Sequence, residues 1–177
     1  LFWFNGYQRA GKDVMPLCFR KMESTDLEEV YSIESEVFPD PWLREFFVSE
    51  MEHDAYVLVK SELIAGFLCA WQVLDECTIT NVAVKPSYQR QGLGEVIFAE
   101  LFKLMLQRDV HYYYLEVRAS NQAALRLYIK LGFSQIGLRK SYYSNPVEDA
   151  IVMALDTSLN VEQHADAAEI SGADERL

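Results

Sequence analysis

The segment Tyr88-Gln89-Arg90-Gln91-Gly92-Leu93-Gly94 constrains this chain more than any other. It follows a strand-like run over 78–84 and leads into a long apolar-periodic stretch over 92–108, so it reads as a strand-to-helix turn. Two glycines let another molecule approach the backbone closely. The N–H groups of a helix's first turn have no partner within the helix and point at one place, where the dipole and Arg90 favour an anion. A Walker loop would need Lys-Ser/Thr after a longer glycine spacing, and a dinucleotide fingerprint one more glycine; the segment has neither. Read by itself, it is either a seat for a pyrophosphate or a glycine-containing helix start without a ligand.

The elements around it alternate. Thr25-Asp26-Leu27-Glu28 has the pattern of a capping box, and Leu27, Val30, Tyr31 and Glu34 continue it at helical spacing until Pro39-Asp40-Pro41 stops the helix. A short helix is expected over 43–51, and strands over 17–22, 55–59, 63–74 and 78–84, with a tight turn at Ser61-Glu62. After the long helix come a strand over 112–117, a helix over 121–131 and strands over 133–143 and 150–155. Without internal repeats, this order predicts an α/β domain on a mixed sheet rather than a doubly wound one. The fold is expected to occupy residues 15–156. Residues 1–14 show neither period nor caps and are expected to lie outside it; 157–177, rich in Asp and Glu, reads as a flexible acidic tail.

Composition narrows the partners. Hydrophobic residues make up 50% of the 177, enough for one full core. The net charge of −11 argues against direct nucleic-acid binding, which needs clustered Lys and Arg. Apolar runs fall short of the roughly 18 residues of a spanning helix, so no membrane partner is expected. Cys18, Cys69 and Cys77 lie apart in strand-like runs and read as reduced core residues. The opening Leu1-Phe2-Trp3-Phe4 is too short for a secretory core, and a cytoplasmic location is expected. His53, His111 and His164 are scattered without HExxH or CxxC spacing, so no metal site is expected.

Three further positions could carry chemistry. In Tyr112-Tyr113-Tyr114-Leu115-Glu116-Val117 the side chains alternate, which puts Tyr112, Tyr114 and Glu116 on one face. A carboxylate ending so apolar a strand is costly unless paired or used. Glu116 reads either as a partly buried general base or as a structural ion pair with Arg118, two residues on. Tyr128 lies on an apolar helical stripe, where a tyrosine is usually core, and Asn121 is most simply a helix N-cap. Tyr142-Tyr143 reads as strand packing on both faces of a sheet.

In chain order, Gln89-Arg90-Gln91-Gly92-Leu93-Gly94, then Leu115-Glu116-Val117-Arg118-Ala119-Ser120-Asn121, then Leu127-Tyr128-Ile129-Lys130-Leu131-Gly132-Phe133 resemble the GNAT superfamily of acetyl-CoA-dependent N-acetyltransferases. With Tyr142-Tyr143 and the closing Glu148-Asp149-Ala150-Ile151-Val152-Met153-Ala154-Leu155, the likeness narrows to members that acetylate the N-terminal alanine of a small-subunit ribosomal protein. It extends over about residues 17–155. It implies a mixed, mostly antiparallel central sheet flanked by about four helices and splayed at the cofactor-binding strands, with acetyl-CoA as acetyl donor. By the same resemblance, Val82, Ala83 and Val84 pair with the pantetheine arm. Arg90, Gln91, Gly92, Leu93, Gly94 and Glu95 hold the pyrophosphate, and Asn121 touches the cofactor beside the thioester. Glu116 matches the general base and Tyr128 the general acid. Glu95 departs from the common pattern, and an extra carboxylate there should weaken cofactor binding unless it points away.

The resemblance also bears on the acceptor. The family's first helices line the acceptor groove, and between residues 23 and 54 many carboxylates, Glu28, Glu29, Glu34 and Glu50 among them, stand against Arg44 alone. Such a lip would attract a basic protein N-terminus, a ribosomal protein being one example; it reads equally as a solvated acidic face. Phe38 and Trp42, with Tyr142 and Tyr143, are the expected groove walls. Two other readings stay open: a GNAT enzyme for a small amine or lysine side chains, and a non-catalytic acyl-CoA-binding module. The presence of both Glu116 and Tyr128 disfavours the module, which needs neither.

Overall fold

A computed structural model of the chain describes residues 17–158. The expected extension over 1–14 and nearly all of the acidic tail lie outside the described residues. The elements are strand β1 (Leu17–Lys21), helices α1 (Leu27–Val37) and α2 (Arg44–Glu50), strands β2 (Asp54–Lys60), β3 (Leu63–Val73) and β4 (Glu76–Val84), helix α3 (Leu93–Leu106), strand β5 (Tyr112–Arg118), helix α4 (Gln122–Lys130), and strands β6 (Ser134–Ser144) and β7 (Val147–Asp156). Among the described residues, seven strands form one sheet in the order β1-β2-β3-β4-β5-β7-β6. All neighbours are antiparallel except β4 and β5. That parallel pair needs a crossover, which α3 supplies.

The sheet is covered on both faces. Tyr56, Leu58, Leu68, Tyr113, Leu115 and Met153 pack with Ile97, Phe98 and Leu101 of α3 and Tyr128 of α4. Ala55, Val57, Phe67 and Cys69 turn the other way, onto Val30 and Ile33 of α1 and Phe47 of α2. Period-2 alternation along β2 and β3 therefore feeds two cores, which is why both strands read as continuous apolar runs. Cys69 and Cys77 are buried as expected, but Cys18 is exposed, because β1 is an edge strand.

Two local readings need correction. The helix start is not a box between Thr25 and Glu28. The Glu23 N–H donates to Asp26 Oδ2 (2.8 Å), a single 3-10 turn over Ser24–Asp26 intervenes, and Arg20 grips both Asp26 oxygens at 2.7 and 2.9 Å. The Arg20 bond holds the Asp26 carboxyl below its usual range. The buried stripe of α1 is Leu27, Val30, Ile33 and Glu34, while Tyr31 is exposed.

Strand β4 carries a bulge. Cys69 pairs with Asn81 and Ala70 with Ile79, which leaves Thr80 as the extra residue. Thr80 and Asn81, adjacent in sequence, thereby both reach toward the α1–α2 face, Thr80 Oγ1 to Glu50 (3.0 Å) and Asn81 Nδ2 to Glu34 (3.0 Å).

Candidate active site

The sheet opens between β4 and β5. Their pairing ends at Ile79 and Leu115, whereas β4 continues against β3 to Val84 and β5 continues against β7 to Arg118. Past Ile79 the edge of β4 that faces β5 has no strand partner among the described residues. Val82, Ala83 and Val84 lie on one arm of this splay and Glu116 on the other, which leaves a slot where an extended ligand could pair with β4.

At the end of β4 the chain turns into α3. Gln89 Nε2 donates to the Val84 carbonyl (3.0 Å), and Gln91 is braced by Lys60 Nζ (2.8 Å) and by its own bond to the Ser87 carbonyl (3.2 Å). Arg90 and Gly92 both take left-handed backbone angles, φ 59° and 79°. No side chain caps α3, and its first bond runs from the Val96 N–H to the Gly92 carbonyl (3.2 Å). The N–H groups of Leu93, Gly94 and Glu95 are thus left as donors, with Arg90 exposed beside them. This donor set fits a diphosphate. Glu95 does not spoil it, because its carboxylate is taken by Lys130 Nζ of α4 at 2.6 Å. A Cβ on Gly94 would sit 2.9 Å from Leu127 Cδ2, so the small residue there also lets α3 and α4 approach.

Glu116 is half-buried, and its partner is not Arg118. Arg139 Nε of β6 lies 3.0 Å from Glu116 Oε1, and the same carboxylate lies near enough to the Tyr142 hydroxyl to push that group above the ordinary tyrosine range. Arg118 instead clamps the β6–β7 turn. It donates to the carbonyls of Asn145 (3.0 Å) and Pro146 (3.2 Å), meets Glu148 at 3.4 Å, and lies 4.0 Å over the Tyr143 ring. The two side chains share a strand face but stand two residues apart, and each finds a partner that sequence spacing does not display. Tyr142 and Tyr143 meet edge-on at 5.2 Å. The register shifts between Arg139 and Tyr143, and this irregularity brings Tyr142 to Glu116 and Tyr143 to Arg118 rather than setting them on opposite faces.

Tyr128 is buried, with Phe98 and Phe133 at ring distances of 5.6 and 5.9 Å. Burial pushes its hydroxyl well above the ordinary tyrosine range, so it holds its proton at neutral pH. Tyr143, pushed up to about 12 chiefly by burial, lies within electrostatic reach of both Glu116 and Tyr128. Asn121 caps α4, its side chain accepting from the Ala124 N–H at 3.1 Å.

The opposite wall comes from the loop between α1 and α2. Phe38 and Trp42 are half-buried there, and Asp40 accepts from Ser144 Oγ of the β6–β7 hairpin at 3.1 Å, tying the two walls together. Trp42, Phe46 and Glu50 line a pocket beside them. The lip is less acidic than its composition suggests. Glu28 pairs with Arg44 (2.7 Å), Glu29 with Lys85 (3.2 Å), and Glu34 and Glu50 are buried. Glu36, Asp40, Glu45 and Glu52 are among the exposed carboxylates that remain.

Arg139, the Arg118 clamp and the two buried carboxylates escape sequence reasoning. Arg139 reaches Glu116 across the intervening β7, an order no local pattern reveals. Glu34 did leave a signal, since a carboxylate four residues after Val30 on an apolar stripe has to be used.

Residues 27–133 match the model of the acetyltransferase (GNAT) family. The [ribosomal protein bS18]-alanine N-acetyltransferase of Escherichia coli strain K12 is 41% identical over 142 residues, 78% of this chain and 96% of that protein. Its Salmonella typhimurium counterpart is 38% identical over 143 residues, with the same coverage. The crystal structure of the ribosomal-protein-S18-alanine N-acetyltransferase from Escherichia coli matches with a TM-score of 0.75 at 39% identity, covering 81% of this chain and 95% of that one.

Proposed function

This chain belongs to the acetyltransferase (GNAT) family and is an N-acetyltransferase that uses acetyl-CoA, and on that premise we propose that it acetylates the N-terminal alanine of ribosomal protein bS18. The observation that carries the acceptor is the 41% identity to the Escherichia coli enzyme named for that reaction, over 96% of its length. The surroundings suit such an acceptor: the loop that carries Trp42 is tied to the Tyr142-Tyr143 hairpin through Asp40 and Ser144, and the exposed carboxylates of that loop and its helices favour a basic chain end.

The chemistry falls to two side chains. An α-amine with a pKa of about 8 arrives mostly as ammonium and cannot attack a carbonyl until it loses a proton. Glu116 takes that proton, directly or through a water. The amine nitrogen then bonds to the acetyl carbon, and donors on the free edge of β4 near Val82, Ala83 and Val84 steady the oxyanion. The C–S bond breaks, and Tyr128 gives its proton to the departing CoA sulfur. Acetyl-CoA lies with its pantetheine along that edge and its diphosphate on the first turn of α3, and Asn121 approaches it beside the thioester.

Thiol release from acetyl-CoA tests the acceptor. A basic peptide beginning with Ala should support turnover, and the same peptide with a blocked α-amine should not, even with an internal lysine. Turnover of the blocked peptide would assign the enzyme to lysine side chains. Turnover only with small amines would remove the protein acceptor.

A further inference from the structure

Glu34 has no part in the chemistry above, yet it is among the most buried charged groups among the described residues, at 1% exposure. Its Oε1 accepts from the Trp42 backbone N–H at 2.9 Å, and its Oε2 accepts from Asn81 Nδ2 at 3.0 Å. Neither partner is a cation. Trp42 belongs to the acceptor wall, whereas Asn81 is the residue just past the bulge of β4, immediately before Val82. One side chain on α1 therefore bonds at the same time to the loop that flanks the acceptor and to the strand that flanks the donor.

The residue type fits this double task. A carboxylate is acceptor-only when ionised and can meet two converging donors. Leaving it unpaired at this depth would be costly, so both bonds are strongly specified. The bulge is what makes the contact possible, because a regular β4 would not bring Asn81 to this face directly after Thr80. Glu50 of α2 holds Thr80 in the same manner, and burial, with the two carboxylates adding to it, pushes the neighbouring Cys69 thiol up.

We propose that Glu34 is a positioning residue for the acceptor: by holding the Trp42 amide at a fixed place relative to Asn81, it sets the distance between the acceptor wall and the thioester strand. The proposal rests on the acetyl-transfer reading of the site but not on alanine as acceptor. The two walls respond unequally when the tie is cut. Strand β4 stays paired with β3 out to Val84, whereas the Trp42 amide loses the acceptor that fixes it.

The test uses the full-length enzyme, acetyl-CoA and whichever amine the wild type turns over best, so that failure of the alanine reading is seen separately in the wild type. Glu34→Asp, one methylene shorter, cannot span both donors. It should raise the acceptor KM about tenfold while kcat and the acetyl-CoA Kd stay within about threefold, the pattern of a wall that holds the acceptor less well in ground and transition state alike. Glu34→Gln keeps the length, and turning the Asn81 amide restores two bonds, so Gln should recover most of what Asp loses. If Glu34→Asp does not fold, Asn81→Ala, which keeps the Trp42 bond and cuts the other, should show the same split in weaker form. An unchanged acceptor KM, or an acetyl-CoA Kd that rises in step with it, overturns the proposal and leaves Glu34 a packing residue of the fold.

Discussion

Arg139 Nε lies 3.0 Å from Glu116 Oε1, so the carboxylate at the open end of β5 already faces a cation. A carboxylate offers about four lone-pair sites, and Arg139 faces only one of its two oxygens. An incoming ammonium has room on the same group. Glu116→Gln keeps the shape but removes the carboxylate to which the proposal gives the role of base. Acetyl transfer should slow by about 10²-fold or more, while CoA affinity measured by calorimetry stays within a few-fold. Near wild-type turnover at neutral pH would leave Glu116 with Arg139 as a structural pair only.

Tyr128→Phe removes one hydroxyl and leaves the ring against Phe98 and Phe133. The melting temperature should hold, and turnover should fall. The loss should be smallest for thioesters with better leaving groups, which need less help from an acid. A uniform loss across leaving groups would show that the hydroxyl positions rather than protonates.

Gly92 sits at φ 79° at the start of α3, a backbone region that costs a residue with a Cβ about 1 kcal/mol. Gly92→Ala should lower the melting temperature by about 2–4 °C. It should also weaken CoA binding, because relaxing the strain re-aims the N–H groups of Leu93 and Gly94. Full CoA affinity together with the lowered melting temperature would place the diphosphate elsewhere.

The fold was legible where chemistry is local. Pro39-Asp40-Pro41, the Ser61-Glu62 turn and Gly92 before α3 each announce a boundary by their own backbone preferences. Glu116 and Tyr128 stood out by order along the chain, since neither residue's surroundings pointed to more than core or ion pair. What stayed hidden depends on strands meeting out of sequence. The partner of Glu116 comes from β6, two places away in the sheet, and the partner of Glu34 comes from a bulge whose extra residue, Thr80, looks like any other strand threonine. The capping pattern at Thr25 misled for a related reason: Arg20, on the preceding strand, claimed Asp26 first.

Burial raises the pKa of Glu34, and its bonds to the Trp42 N–H and Asn81 only partly offset this. The folded state therefore binds this proton more tightly than the unfolded chain does. Its contribution to stability is fully present below the unfolded value near 4.5 and is lost as pH rises through the higher folded value. Glu34→Gln cannot titrate. Its melting temperature, compared with wild type, should be more favourable at pH 7.5 than near pH 4.5. A difference independent of pH would mean that the carboxyl is as well solvated in the fold as outside it.

Transfer to a protein's α-amine is tested most directly by mass spectrometry of purified bS18 incubated with the enzyme and acetyl-CoA. Tandem spectra should place a single acetyl group on the N-terminal alanine and none on lysines, with no transfer by the Glu116→Gln variant in the same time. Acetyl groups on lysine side chains with a free N-terminus would contradict the account.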